Sequence, residues 1–191
     1  MKKYIKDDDY VIAADGGYKH LNSLGVSCDY VLGDFDSIDS IPDAADEIFP
    51  HEKDDTDTML AIKHGLLKGM DDFVILGGLG GRLDHTIANI SSLEYLKSHG
   101  AHGLLADENT IVRMFFTGDK VVPLMQDGYF SIFPYGLEHA AVSISGVKYP
   151  LSHHVLHSDF PLGVSNMVTD FDAFDLTIHD GKIMVVECKK D

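Results

Sequence analysis

Tyr30-Val31-Leu32-Gly33-Asp34-Phe35-Asp36-Ser37 decides the fold. Its unbroken apolar start is too short for a buried helix and suits a strand covered on both faces. The run then stops at a glycine and a pair of carboxylates. The same grammar recurs on either side. Val11-Ile12-Ala13-Ala14 runs into Asp15-Gly16-Gly17, and a short strand near Ile48-Phe49 leads to Lys53-Asp54-Asp55-Thr56-Asp57. Phe73-Val74-Ile75-Leu76 is followed by Gly77-Gly78-Leu79-Gly80-Gly81-Arg82-Leu83-Asp84-His85. Between these runs, Thr58 to Leu67 follows a polar helix entry. Leu83, Ile87, Ile90 and Leu93 share one helical face, with Gly100 just past its end. Strand alternating with helix predicts a doubly wound parallel sheet with right-handed crossovers, over residues 1–108.

Beyond Asn109 the pattern changes. Thr110 to Phe116, Lys120 to Leu124, Tyr129 to Phe133, Ala141 to Ile144, Phe174 to Ile178 and Ile183 to Val186 are rich in Val, Ile, Phe and Tyr. Gly118-Asp119, Asp127-Gly128 and Asp180-Gly181 read as hairpin turns between them. Residues 109–191 are therefore expected to form an antiparallel β-sandwich.

The chain has 191 residues and a formal net charge of −16, with Arg82 and Arg113 its only arginines. So acidic a surface repels nucleic-acid backbones and anionic membranes, and neither is expected as a partner. A small anion is still admissible where a metal ion inverts the local field. The two cysteines, Cys28 and Cys188, make neither a disulfide framework nor a metal knuckle. No apolar run approaches the roughly 20 residues of a membrane helix. The start, Met1 to Asp9, lacks a signal peptide's apolar stretch, so a cytoplasmic location is expected.

In an open parallel sheet, ligands bind outside the carboxyl ends of the strands. Every polar cluster quoted above follows such an end, so the clusters should converge on one rim. Asp34 and Asp36 can aim at one point from an extended turn. With Asp57, and Asp15 nearby, they would repel one another unless a cation joined them. Hard oxygen donors without cysteine suit Mg²⁺ shared with phosphate oxygens. The Gly77–Gly81 loop can bring N–H groups to phosphate, and Arg82 adds a two-pronged donor. This is neither a Walker loop nor a dinucleotide fingerprint. His153, His154 and His157 are expected in a solvated loop.

In combination these clusters resemble the thiamine pyrophosphokinases. That family's pattern is Asp-Gly-Gly, Gly-Asp-x-Asp-Ser, Asp-x-Thr-Asp and Gly-Gly-Arg-x-Asp-His, in that order. Here it stands as Asp15-Gly16-Gly17, Gly33 to Ser37, Asp55-Thr56-Asp57 and Gly80 to His85. Gly163-Val164-Ser165-Asn166 looks like the family's Ser-Asn motif, and Gly146 to Leu151 also fits. The resemblance implies an α/β domain followed by a β-sandwich. It implies transfer of a pyrophosphoryl group from ATP to the hydroxyl of thiamine, giving thiamine diphosphate and AMP. Asp34, Asp36 and Asp57 would hold Mg²⁺ on the triphosphate. Asp15, Gly16, Lys53, Gly80, Gly81, Arg82 and Asp84 would line the nucleotide and its phosphates. Ser165 and Asn166 would face thiamine across a homodimer interface. Asp54 and Asp84 are the candidate proton acceptors.

Two other readings compete. Asp34-Phe35-Asp36-Ser37-Ile38 loosely resembles the nucleophile motif of haloacid-dehalogenase phosphatases, with Asp34 forming a phospho-enzyme. A nucleotide or thiamine sensor would keep the pocket without turnover. Relatives of the resembled family open with a strand, a glycine-rich turn and a helix before Asp-Gly-Gly. Only nine residues precede Tyr10, so the sheet is expected to lack an interior strand.

Overall fold

The computed structural model describes residues 2–36 and 41–190. The α/β half opens with β1 (Ile12–Ala14), α1 (Gly17–Ser23), β2 (Tyr30–Gly33) and β3 (Glu47–Ile48). It continues through α2 (Asp57–Leu67), β4 (Asp72–Leu76), α3 (Leu83–Ser98) and β5 (His102–Ala106). Thr56 starts α2 by accepting the Met59 amide on its hydroxyl at 3.2 Å. The β half comprises β6 (Thr110–Phe116), β7 (Gly128–Pro134), β8 (His139–Ser145) and β9 (Leu151–His157). It ends with β10 (Asp175–Asp180) and β11 (Lys182–Lys189).

Both expected halves are present, but the parallel strands are divided between two sheets. β1, β2 and β3 form a parallel sheet in that order. β4 pairs in parallel with β5, which turns antiparallel onto β6, so these strands belong to a five-stranded sheet ordered β4-β5-β6-β11-β7. β10, β8 and β9 form a third, antiparallel sheet. Sheet hydrogen bonding therefore runs across residue 108, where the sequence pattern changes.

Alternation along β11 shows how the layers are built. Ile183 and Val185 face Phe130, Ile132, Val142, Ile144 and Ile178, the core of the sandwich with the antiparallel sheet. Met184 and Val186 face the opposite way, onto Leu105, Val112 and Met114 beneath Leu93 of α3. The five-stranded sheet thus has α3 on one face and a β-sheet on the other. α2 links this body to the small sheet. Its Ile62 packs with Leu96, Met59, Leu66 and Phe73, while its His64 ring stacks on Tyr30 at 3.8 Å between centroids.

Several local expectations need correcting. β9 is a strand, so His153, His154 and His157 do not lie in a loop. Lys120 to Leu124 forms no strand. Its Leu124 amide bonds to Glu187 Oε2 at 2.7 Å instead of joining a ladder. Asp180-Gly181 joins β10 to β11, which belong to different sheets, so it is a corner and no hairpin. Gly118-Asp119 is a turn that likewise joins no paired strands.

Candidate functional site

The ends of β1 and β2 are forced into close approach. A Cβ on Gly33 would lie 2.9 Å from Asp15 Cα, so only glycine lets the two chain ends pass. Asp15 and Phe35 both adopt left-handed φ angles, +45° and +57°, which bulky L-residues rarely take. Phe35 is buried with Ala13 and Val31 and so anchors the turn. The Asp36 amide donates to Asp34 Oδ1 at 3.3 Å, which leaves Asp34 Oδ2 turned toward other partners.

Those partners come from the loop after β3, whose Phe49 amide donates to the Gly33 carbonyl at 3.0 Å. Two residues apart in it, His51 and Lys53 reach the same carboxylate. Lys53 Nζ donates to Asp34 Oδ2 at 2.8 Å and His51 Nδ1 lies 3.2 Å from that oxygen. Lys53 Nζ also stands 2.9 Å from Asp57 Oδ1. That second contact is an ion pair out of line for a hydrogen bond, leaving Asp57 Oδ1 without a hydrogen-bond donor. His51 Nδ1 is 3.5 Å from Asp36 Oδ2.

The electrostatics correct one expectation. The carboxylates do not simply repel, because the hydrogen bond from Lys53 holds Asp34 well below the usual carboxylate range, against the opposing effect of burial. Burial opposes the Lys53 charge, yet its hydrogen bond to Asp34 and its ion pair with Asp57 leave its pKa above the ordinary value. The hydrogen bond to Asp34 likewise raises His51, with Asp36 adding to it.

Lys53 therefore places a cationic group between Asp34 and Asp57, where two carboxylates call for positive charge. This oxygen-rich, thiol-free donor set fits a hard divalent ion. Asp34, Asp36 and His51 present donor atoms within 4.8 Å of one another. His51 escaped the sequence reading because the motif there begins at Lys53. The signal was present in the i, i+2 spacing of His51 and Lys53.

The glycine loop follows β4, in the five-stranded sheet rather than the sheet that carries Asp34, so the expected single rim is split between two sheets. Gly77, Gly80 and Gly81 take left-handed φ angles of 75–78° with open space where a Cβ would stand. The Asn89 side chain ties the loop to α3 by donating to the Gly78 carbonyl at 3.0 Å. Arg82 grips Asp84 with two bonds, Nε to Oδ1 at 3.1 Å and Nη2 to Oδ2 at 2.6 Å. The Arg82 fork keeps the Asp84 carboxyl below its ordinary range. Both side chains are exposed, as is Asp54. Among the described residues no hydrogen bond or ion pair links this cluster to Asp34, Asp36 or Asp57. Ser37 lies outside the described residues.

Ser165 and Asn166 stand apart from both clusters, against β7. The Asn166 amide makes three hydrogen bonds: Oδ1 accepts from the Tyr149 and Met167 amides at 3.0 and 2.9 Å, and Nδ2 donates to the Tyr149 carbonyl at 2.8 Å. It shapes the Tyr149 loop beside a cavity of about 210 Å³ lined by Phe130, Ile144, Leu151 and Val164. Ser165 is exposed at a φ of +58°.

A carboxylate cluster and a glycine loop on an α/β half, joined to an antiparallel sandwich, define a class of two-part α/β plus β-sandwich folds. Comparison with known proteins narrows it. Residues 1–105 match the family model "Thiamin pyrophosphokinase, catalytic domain", and residues 120–182 match "Thiamin pyrophosphokinase, vitamin B1 binding domain". The chain is 30% identical over 171 residues to thiamine pyrophosphokinase of Bacillus subtilis, spanning 85% of this chain and 80% of that protein. It is 27% identical over 179 residues to thiamin pyrophosphokinase 1 of Caenorhabditis elegans, spanning 86% and 74%. The fold matches a crystal structure of thiamine pyrophosphokinase from Bacillus subtilis with a TM-score of 0.86 at 24% identity, covering all of this chain and 92% of that one. The chain belongs to the thiamin pyrophosphokinase family. None of the described helices is long and apolar enough to cross a membrane.

Proposed function

We propose that this chain is a thiamine diphosphokinase, moving a pyrophosphoryl group from ATP to thiamine. The observation that carries the reading is the pair of family matches, catalytic then vitamin B1 binding, in order along one chain. In the reaction the hydroxyl oxygen of thiamine forms a bond to the β-phosphorus of ATP. The bond from that phosphorus to the α–β bridging oxygen breaks, and AMP leaves with the electron pair. The hydroxyl proton passes to a base.

Phosphoryl-type transfer depends mainly on positioning and charge neutralisation. A Mg²⁺ ion held by Asp34, Asp36 and Asp57 would supply that neutralisation at the triphosphate. Lys53, already among these carboxylates, is within reach of phosphate oxygens brought to them. Arg82 would exchange Asp84 for phosphate, and Gly80 and Gly81 would offer backbone N–H groups. Asp15 and Gly16, at the turn beside Gly33, would border the nucleotide. Asp54 and Asp84 stand as the two candidate bases, since Asp84 is freed of Arg82 once that guanidinium turns to phosphate. Ser165 would contact thiamine directly, and Asn166 would act by holding the Tyr149 loop. The proposed setting is a cytoplasmic homodimer.

The test is AMP formation from ATP with and without thiamine. AMP released only with thiamine supports the reading. Phosphate release from monoesters would support the haloacid-dehalogenase alternative, and binding without turnover a sensor. Asp34→Asn, Asp36→Asn and Asp57→Asn should each lower turnover by about 10²-fold or more, the scale of a lost transition-state electrostatic contact. Near-normal turnover in all three would remove the metal assignment.

A further inference from the structure

We propose that His51 is a fourth protein ligand of the metal held by Asp34, Asp36 and Asp57, turning this site toward Mn²⁺ and Co²⁺ rather than Mg²⁺ alone. The inference rests on the metal-site reading above. Two donors at right angles about an octahedral ion with bonds near 2.1 Å stand about 3.0 Å apart. His51 Nδ1 lies 3.2 Å from Asp34 Oδ2 and 3.5 Å from Asp36 Oδ2. His51 thus stands within about 0.5 Å of that spacing from each carboxylate, and the three donor atoms, from two loops, all lie within 4.8 Å of one another.

A second observation points the same way. Lys53 Nζ already sits between Asp34 Oδ2 and Asp57 Oδ1 as a resident positive group. The loop that delivers Lys53 also delivers His51, so one short loop brings a counter-charge and an aromatic nitrogen to one carboxylate. The His51 ring is 71% exposed, and packing does not account for its position over the pair. Imidazole nitrogen is a softer donor than carboxylate or water. It binds first-row transition ions well and Mg²⁺ poorly, with affinity rising from Mn²⁺ to Co²⁺ along the divalent series.

The probe is Mn²⁺ alone, added at one equivalent to the full-length protein. Binding is followed by electron paramagnetic resonance, and bound nitrogen by electron spin-echo modulation. Wild type should show directly coordinated ¹⁴N, and His51→Ala should lose it. His51→Ala should also bind Mn²⁺ weaker by about tenfold or more, the range found when a metal's supporting residues are removed. Mg²⁺ affinity, measured by competition against Mn²⁺, should change much less. Mn²⁺ that binds without nitrogen coupling, or with coupling that survives in His51→Ala, overturns this inference and leaves the carboxylate site standing. Absence of saturable Mn²⁺ binding in wild type would sink both.

Discussion

Lys53 touches Asp34 and Asp57 with one ammonium group, so removing either carboxylate leaves a largely buried cation short of a partner. Relief of repulsion would make Asp34→Asn neutral or stabilising. The geometry gives the opposite sign, a loss of about 1 kcal/mol for a partly screened charged pair. The pH dependence follows from the direction of each shift. Asp34 titrates lower in the folded chain than when unfolded, so its contribution is complete above about pH 4. It fades as pH falls toward the folded value. Lys53 is shifted upward, so its share is complete below about pH 10.5 and fades as pH rises through the folded pKa. Urea unfolding of wild type and Asp34→Asn should differ most near pH 5, differ less as pH rises past the histidine range because the raised His51 pKa rests on Asp34, and converge below pH 4. A variant as stable as wild type at pH 7 would show that the pair contributes nothing. The carboxylates were readable in the sequence because each follows an apolar run. The lysine's grip on two of them was not, since it depends on how the loop after β3 folds back.

At the scale of elements, the stretch from Val121 to Met125 is a strap held down by side chains. Glu187, 1% exposed on β11, accepts from Arg113 Nη2 at 2.6 Å and from the Leu124 and Met125 amides at 2.7 and 2.9 Å. Arg113 donates also to the Val122 carbonyl at 2.7 Å. Glu187→Gln replaces one acceptor oxygen with an NH₂ group facing donors, in a site closed to water. We expect a loss of about 2–4 kcal/mol, read by urea or thermal unfolding, with little effect on nucleotide affinity. A loss below about 1 kcal/mol would mean that the strap is held by Val121 packing alone. The strap also shows why the sequence misled here. Its composition reads as a strand, but Pro123 cannot donate to a ladder and Glu187 takes the amides that follow. β9 misled in the other direction. Ser152, His153 and His154 read as a polar loop, yet β9 is an edge strand with one solvated face and an irregular register. Strands with continuous apolar runs, β1, β2, β4 and β6, were legible almost to the residue. Which sheet a turn feeds, as at Asp180-Gly181, is settled by packing between layers and leaves no local signal.

At the scale of the molecule, Asn166 and the strand that carries the glycine loop lie at opposite edges of the five-stranded sheet. Asn166 bridges to Phe130 on β7, at one edge of the five-stranded sheet, whereas β4 forms the other. Four strand spacings separate these edges, about 19 Å. The sheet bearing Asp34 joins this body through α2, which packs on Phe73 and Ile75 of β4. The carboxylates thus belong to the end away from Ser165. If thiamine meets Ser165 while ATP meets Asp34, a two-fold pair can bring the α/β half of one copy to the β half of the other. Complementation tests this. Asp36→Asn disables the metal end of a chain, and Asn166→Ala frees the Tyr149 loop at the other end. Each homodimer should be nearly inactive. A heterodimer of the two variants carries one site built wholly from intact halves. With random pairing at equal amounts, half of the dimers are mixed and half of their sites are whole. Activity should therefore recover to about one quarter of wild type. Native mass spectrometry establishes how many heterodimers form, and the thiamine-dependent release of AMP reads their activity. Heterodimers present in the expected share but no more active than the parent variants would mean that each site is assembled within a single chain.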